Sequence, residues 1–266
     1  MHELISGFLS NESSFGKLMT RLGVIIGANL MFVLFSMPVV TMGAAAVALY
    51  HVMLKTLRGD GVVNPFVQFW KGFKSNFKQA TIVWVIAILL AVFFYMDFQI
   101  CSHMEGGIAV IRYALWVIVG ILLVCLIYLF PTMAAFADTI PHLLRNGIYF
   151  AMHKPLKTLV LLFFNIFPLY LTYTDTQMMP LYAFIWCFFG FGAIAMLGAT
   201  LLLPEMKPYL PIVDACGDFI LDENGQKILP GSEAEARMME EEGGYEMVVD
   251  EKSEAEILAE MEKLGM

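Results

Sequence analysis

Asp138, His142 and Arg145 are spaced four and three residues apart, so on one helix they would share a face and could hold a metal ion or pass a proton. Pro141 lacks a backbone donor and interrupts that ladder. The surrounding stretch, Pro131 to Thr158, also carries His153, Lys154 and Lys157 and reads as a water-facing connection. A solvated face is therefore the preferred reading of the cluster. Asn29 and Asn165 are different, because each sits inside an apolar run. A carboxamide in hydrocarbon needs a partner, and hydrogen bonding across helices is the expected use; a ligand contact is the sharper alternative. His51, on an Ala-rich stretch, is expected to be a neutral, hydrogen-bonded imidazole.

Other chemistry is thin. Asp222-Glu223-Asn224-Gly225 has part of a calcium-loop pattern, but Ile220 and Gly231 occupy its first and last ligand positions, so no calcium site is expected. Cys101, Cys125, Cys187 and Cys216 are scattered and form no CxxC pair, which argues against a disulfide framework. No HExxH, Walker A, GxSxG or GxGxxG pattern occurs. The expectation is a protein without cofactor or metal, and not an enzyme.

The elements that must position these residues are membrane helices. Of the 266 residues, 59% are hydrophobic and 15% charged, with a mean hydropathy of +0.72. A soluble chain carries about a quarter charged residues, so this one has too few to cover a water-facing surface. The charge is also divided. Residues 1–203 hold 11 Lys+Arg and 7 Asp+Glu, a net +4, and residues 204–266 hold 5 and 17, a net −12. The first part suits anionic headgroups, while the second would be repelled by them and by nucleic acid. The expected fold is all-α: a transmembrane bundle of five to six segments over 1–203, followed by an acidic cytoplasmic tail over 204–266, partly ordered.

Apolar runs lie at Leu22 to Val40, Ala80 to Met96, Ile108 to Phe130, Leu159 to Thr172 and Leu181 to Leu203. A crossing takes about twenty residues. The first run is too long and too late for a signal-peptide core and reads as a retained anchor. The stretch Ala44 to Leu57 looks too short to cross comfortably. Basic residues concentrate in Lys55 to Lys78 and Pro131 to Thr158 and are absent from Cys101 to Ile111 and Tyr173 to Pro180. The positive-inside rule then places the basic connections and the C-terminus in the cytoplasm. With Lys17 and Arg21 also inside, Leu22 to Leu57 becomes a helical hairpin with a short, tilted or re-entrant return. Five spans with an external N-terminus is the alternative.

Pro38, Thr41 and Gly43 mark the hairpin turn: Pro38 breaks the helix ladder, Thr41 can satisfy freed backbone groups and Gly43 allows close approach. Together with Asn29 they form a helix-break motif, read first as shaping the bundle and second as a ligand site. In Pro65 to Gln79, Phe66, Trp70, Phe73 and Phe77 recur at helical spacing, with Lys71, Lys74 and Lys78 mostly opposite. That pattern fits a helix lying in the membrane interface or docking on a partner, and equally a helix packed on neighbouring spans. In the tail, Asn224-Gly225 between two short apolar runs signals a hairpin. Ser232 with Glu235 and Ser253 with Glu256 have capping-box spacing, and Ile257, Leu258, Met261 and Leu264 share a helical face.

Several of these stretches carry a resemblance. Asn29 followed by Phe35-Ser36-Met37-Pro38-Val39-Val40-Thr41-Met42-Gly43-Ala44, then Ala48-Leu49-Tyr50 ending at Leu57-Arg58, then Phe69 to Ala80 together resemble the YesL-like family of bacterial membrane proteins. A weaker echo is Tyr128-Leu129-Phe130-Pro131 with Leu144-Arg145-Asn146-Gly147. The similarity runs over roughly Phe15 to Leu203, and the acidic tail is an addition. The resemblance implies a membrane bundle of unknown activity with no established catalytic residues. It also implies a setting, since such proteins are commonly encoded near carbohydrate ABC transporters and sensor kinases of Gram-positive bacteria.

Three function classes follow. The preferred one is an accessory or interaction subunit in the cytoplasmic membrane, partnered with the bilayer and with an ABC permease or sensor kinase. The first alternative is a small self-sufficient transporter or channel-like protein built on the broken helix. The second is a membrane enzyme, for which only the Asp138 to His153 stretch speaks.

Overall fold

The computed structural model describes residues 14–59, 63–102, 110–136, 138–210, 212 and 228. Among them the fold is all-helical. Helix α1 (Ser14–Ser36) leads through a 3-10 turn at Val39–Thr41 into α2 (Met42–Arg58). Then come α3 (Pro65–Ser102), α4 (Val110–Ala135), α5 (Ile140–His153) and α6 (Pro155–Thr174). Helix α7 (Met179–Ile185) runs through a π-helical turn at Trp186–Gly190 into α8 (Phe191–Met206). Among the described residues, six helical stretches are long and apolar enough to cross a membrane: Leu18–Ser36, Val39–Arg58, Pro65–Cys101, Arg112–Ala135, Pro155–Thr174 and Met179–Tyr209. The stretch expected to be too short gains length from the preceding turn, so Val39–Arg58 has 20 residues.

Local sequence explains the helix starts. Asn64 caps α3: its Oδ1 accepts the Phe66 and Val67 N–H groups at 3.1 and 3.3 Å. Pro65 follows at the first helical position, where a missing N–H is harmless. The same rule corrects the reading of Pro141, which lies in the first turn of α5 and interrupts nothing. Pro155 and Pro180 open α6 and α7 in the same way.

Helix α2 is the centre of the bundle. Ala44, Ala45, Val47, Ala48, Val52 and Met53 are fully buried, and the small side chains let α1, α3, α4 and α8 close around it. Gly43 sets the approach of α2 to α3: a Cβ there would collide with the Trp84 side chain and lie 2.9 Å from the Ala80 carbonyl oxygen. Further along the same antiparallel pair, a Cβ on Gly72 would lie 2.9 Å from His51. A second core gathers Tyr128, Phe150, Leu161, Leu202, Met206 and Leu210.

Two expected boundaries move. Pro65 to Gln79 is not a separate interfacial helix but the first part of the 38-residue α3. At 1.5 Å per residue α3 is about 57 Å long, nearly twice the hydrocarbon thickness. The division after Leu203 falls inside α8, which continues through Pro204 to Met206. A 3-10 turn at Lys207–Tyr209 follows, and Leu210 is part of the core. The Ile212 N–H donates to the Ile228 carbonyl at 2.8 Å, and Ile228 is buried. The hairpin turn at Asn224-Gly225, the capping boxes and the last helix lie outside the described residues.

Candidate functional site

The most developed polar site is built around Asn29, which is fully buried at the α1–α8 contact. Its Nδ2 donates to the carbonyls of Trp186 at 3.0 Å and Cys187 at 2.7 Å, and its Oδ1 accepts the Gly192 N–H at 2.8 Å. Gly192 stands five residues beyond Cys187, the pairing distance of a π-helix. The carboxamide therefore inserts into the backbone ladder where the helix widens, and it serves donors and acceptors on both sides. Gly192 admits this contact, because a Cβ there would lie 2.9 Å from the Ile25 carbonyl oxygen and 3.3 Å from Asn29 Cβ. The Trp186 indole N–H donates to Thr172 Oγ1 at 2.9 Å, which ties the same turn to α6. Its ring packs on Phe191 at 4.6 Å between centroids.

The break at Pro38 is satisfied differently. Pro38 is extended, with φ −74° and ψ 110°, and the chain turns through exposed Met37, Val39 and Val40. The Thr41 hydroxyl reaches the Phe35 carbonyl at 2.6 Å and the Pro38 carbonyl at 2.8 Å, and the Thr41 N–H donates to Pro38 at 2.9 Å. The Trp84 indole N–H donates to the Val39 carbonyl at 2.7 Å, so α3 closes the turn from outside. Asn29 thus belongs to a different site from Pro38, Thr41 and Gly43. Asn165 also departs from expectation: its Nδ2 donates to Leu161 O at 2.8 Å on its own helix rather than across to another.

The aromatic and basic residues of α3 separate into two sets. Phe73 is buried with Phe69, and both pack on Phe35 of α1, at centroid distances of 5.0 and 5.8 Å. Phe66, Trp70 and Phe77 are exposed, as are Lys71, Lys74 and Lys78. Trp70 still touches the cluster, 5.7 Å from Phe35.

The trio at the start of α5 does not share a helix. Asp138 precedes the helix, its Oδ1 accepting the Thr139 N–H at 2.6 Å and meeting His142 Nδ1 at 3.2 Å. The Thr139 amide, with His142 a smaller influence, holds the Asp138 carboxyl below the usual carboxylate range. Arg145 is exposed one turn further on. No group of three potential metal ligands occurs among the described residues. A polar junction absent from the sequence reading lies at Glu205, whose Oε1 pairs with Lys154 at 2.8 Å and Lys157 at 2.7 Å. Lys157 also donates to the Leu201 carbonyl at 3.2 Å. This ties the start of α6 to the end of α8. The available signal was two lysines three apart facing one acid that closes an apolar run.

Residues 25–98, from Asn29's helix through most of α3, match the family model described as "Protein of unknown function, DUF624". Two curated proteins of Bacillus subtilis (strain 168) are similar. "Uncharacterized protein YteU" is 25% identical over 107 residues, which is 40% of this chain and 48% of that protein. "Uncharacterized protein YesL" is 26% identical over 139 residues, 50% of this chain and 64% of that protein. The chain is therefore similar to these two uncharacterised proteins over part of its length. It thus spans about half to two-thirds of the length of these relatives. No solved structure matches. The family-matched segment holds Asn29, the Pro38 break and the exposed side of α3, whereas the π-turn and Glu205 lie beyond it. The matched segment therefore carries one half of the Asn29 site, and the other half lies in the π-turn and α8.

Proposed function

We propose that this chain is a non-enzymatic accessory subunit of the cytoplasmic membrane, multi-pass with its C-terminus inside, that docks on a partner through the first half of α3. The observation that carries this reading is the two-sidedness of that half-helix. Phe69, Gly72 and Phe73 lock one side to α1 and α2. The other side presents Phe66, Trp70 and Phe77 with Lys71, Lys74 and Lys78. Exposed aromatics beside cationic side chains on a continuous helix combine apolar contact area with charge that selects an acidic surface. The family resemblance supplies the partner class, a carbohydrate ABC permease or a sensor kinase. The chain purified from its native membranes in mild detergent should bring that partner in stoichiometric amount, and the triple change Lys71→Glu, Lys74→Glu, Lys78→Glu should release it. A partner retained at full yield by the triple variant would sink the docking surface.

A self-sufficient transporter is the second reading, favoured by two helix discontinuities of the kind that line substrate sites in carriers. Both are filled by the chain itself, at Asn29 and at Thr41 with Trp84, and this supports the accessory reading instead. Liposome flux of a sugar or ion that disappears in Asn29→Ala would reverse the preference.

A further inference from the structure

Helices α3 and α4 touch at both ends and part in between. Near one end Trp84 meets Phe130 at 6.1 Å between ring centroids. Near the other, Phe98 meets Trp116 edge-on at 5.4 Å, and Arg112 donates to the Cys101 carbonyl at 3.2 Å. Between them lies a groove of about 640 Å³, walled by Ala87, Ala91 and Phe94 of α3 and by Val119, Leu122 and Leu126 of α4. Ile140 and Leu144 of α5 reach its Trp84 end. The walls come from two of the three least buried stretches of the bundle, so the groove opens sideways to the surrounding lipid.

We propose that this groove is a binding site for one anionic phospholipid, with hydrocarbon chain between α3 and α4 and the headgroup at the α5 end. Two observations select that occupant. The first is shape. Val83 to Phe98 is a rise of about 22 Å, which fits within the bilayer core. The groove offers about 640 Å³ along that length, room for hydrocarbon chain. The second is charge at the α5 end. The Gln79 side chain donates to the Asp138 carbonyl at 2.8 Å, which ties α3 to the start of α5, and Lys78 is the residue before it. Arg145 follows Leu144, which lines the groove, and both cationic side chains are exposed. The neighbouring Asp138 carboxylate is already engaged by the Thr139 N–H and by His142. Exposed basic residues next to the α5 end of an apolar interhelical groove suit a phosphate-bearing headgroup.

Native mass spectrometry of the full chain in mild detergent, titrated with phosphatidylglycerol or phosphatidylcholine, tests this. The wild type should hold one phosphatidylglycerol through delipidation and prefer it to phosphatidylcholine. Ala87→Phe with Ala91→Phe fills the groove and should abolish retention, while Ala114→Phe with Ala183→Phe, which adds the same bulk at exposed positions outside the groove, should keep it. Lys78→Glu with Arg145→Glu should bind lipid without the preference for phosphatidylglycerol. Equal retention in the groove-filling and control variants, or an unchanged preference after charge reversal, would overturn the proposal. A photoreactive side chain at Val119 gives an answer without filling the groove: an adduct with phospholipid supports the site, and an adduct with protein overturns it.

Discussion

The two helix discontinuities solve one problem in two ways. A broken ladder in an apolar medium strands backbone N–H and C=O groups, and each must find a partner. At Pro38 the partners are close: Thr41 serves carbonyls three and six residues back, and only the Trp84 indole comes from another helix. At Trp186–Gly190 the partner is Asn29, more than 150 residues away in sequence. The first discontinuity is encoded by residues that break helices. The second contains no proline and exists as a pair of surfaces, a widened helix and the carboxamide that occupies it. Where the chain reverses direction, local chemistry suffices; where a helix only widens, packing has to supply the missing partner.

The largest effect should come from Gly43→Leu. The side chain would meet Trp84 and the Ala80 carbonyl, forcing α2 from α3, at a cost of about 3 kcal/mol or outright failure to fold. Thermal unfolding in detergent reads it, and a stable Gly43→Leu protein would mean the break does not position the central helix. Asn29→Ala comes next at about 2 kcal/mol, since it strips the π-turn of its carboxamide. Amide exchange should quicken across residues 186–192 and stay unchanged across 36–43; acceleration at both would erase the distinction between the two sites. Trp84→Phe keeps the ring and loses the indole N–H to Val39, costing about 1 kcal/mol with faster exchange confined to the Pro38 turn. Asn165→Leu is the smallest, within about 0.5 kcal/mol, because that side chain bonds only to its own helix. A loss as large as that of Asn29→Ala would show that an unseen partner shares Asn165.

Much of the architecture is readable along the chain. The surplus of apolar residues forces membrane helices, Pro38 with Gly43 announces the hairpin, and Pro65 opens the stretch that begins α3. These signals act over a few residues, through backbone donors, allowed dihedrals and side-chain reach. The site was half legible. Asn29 stands out as a polar group in an apolar run, but the same criterion selected Asn165, which turns back onto its own helix. An aromatic stripe likewise does not say which ring is enclosed: Phe73 is shut in by Phe35 while Phe77, one turn on, is exposed.

Hydropathy, proline and glycine act on their own segment of chain, and so the amino-acid order alone specifies a bundle of apolar helices with a broken first hairpin. That Asn29 opens a place in the α7–α8 ladder, that Lys154 and Lys157 share Glu205, and that α3 and α4 part to leave a groove follow from packing. Each of these joins residues far apart in sequence, and a hydrogen bond, an ion pair or a cavity is a property of the surfaces that meet, not of either segment alone.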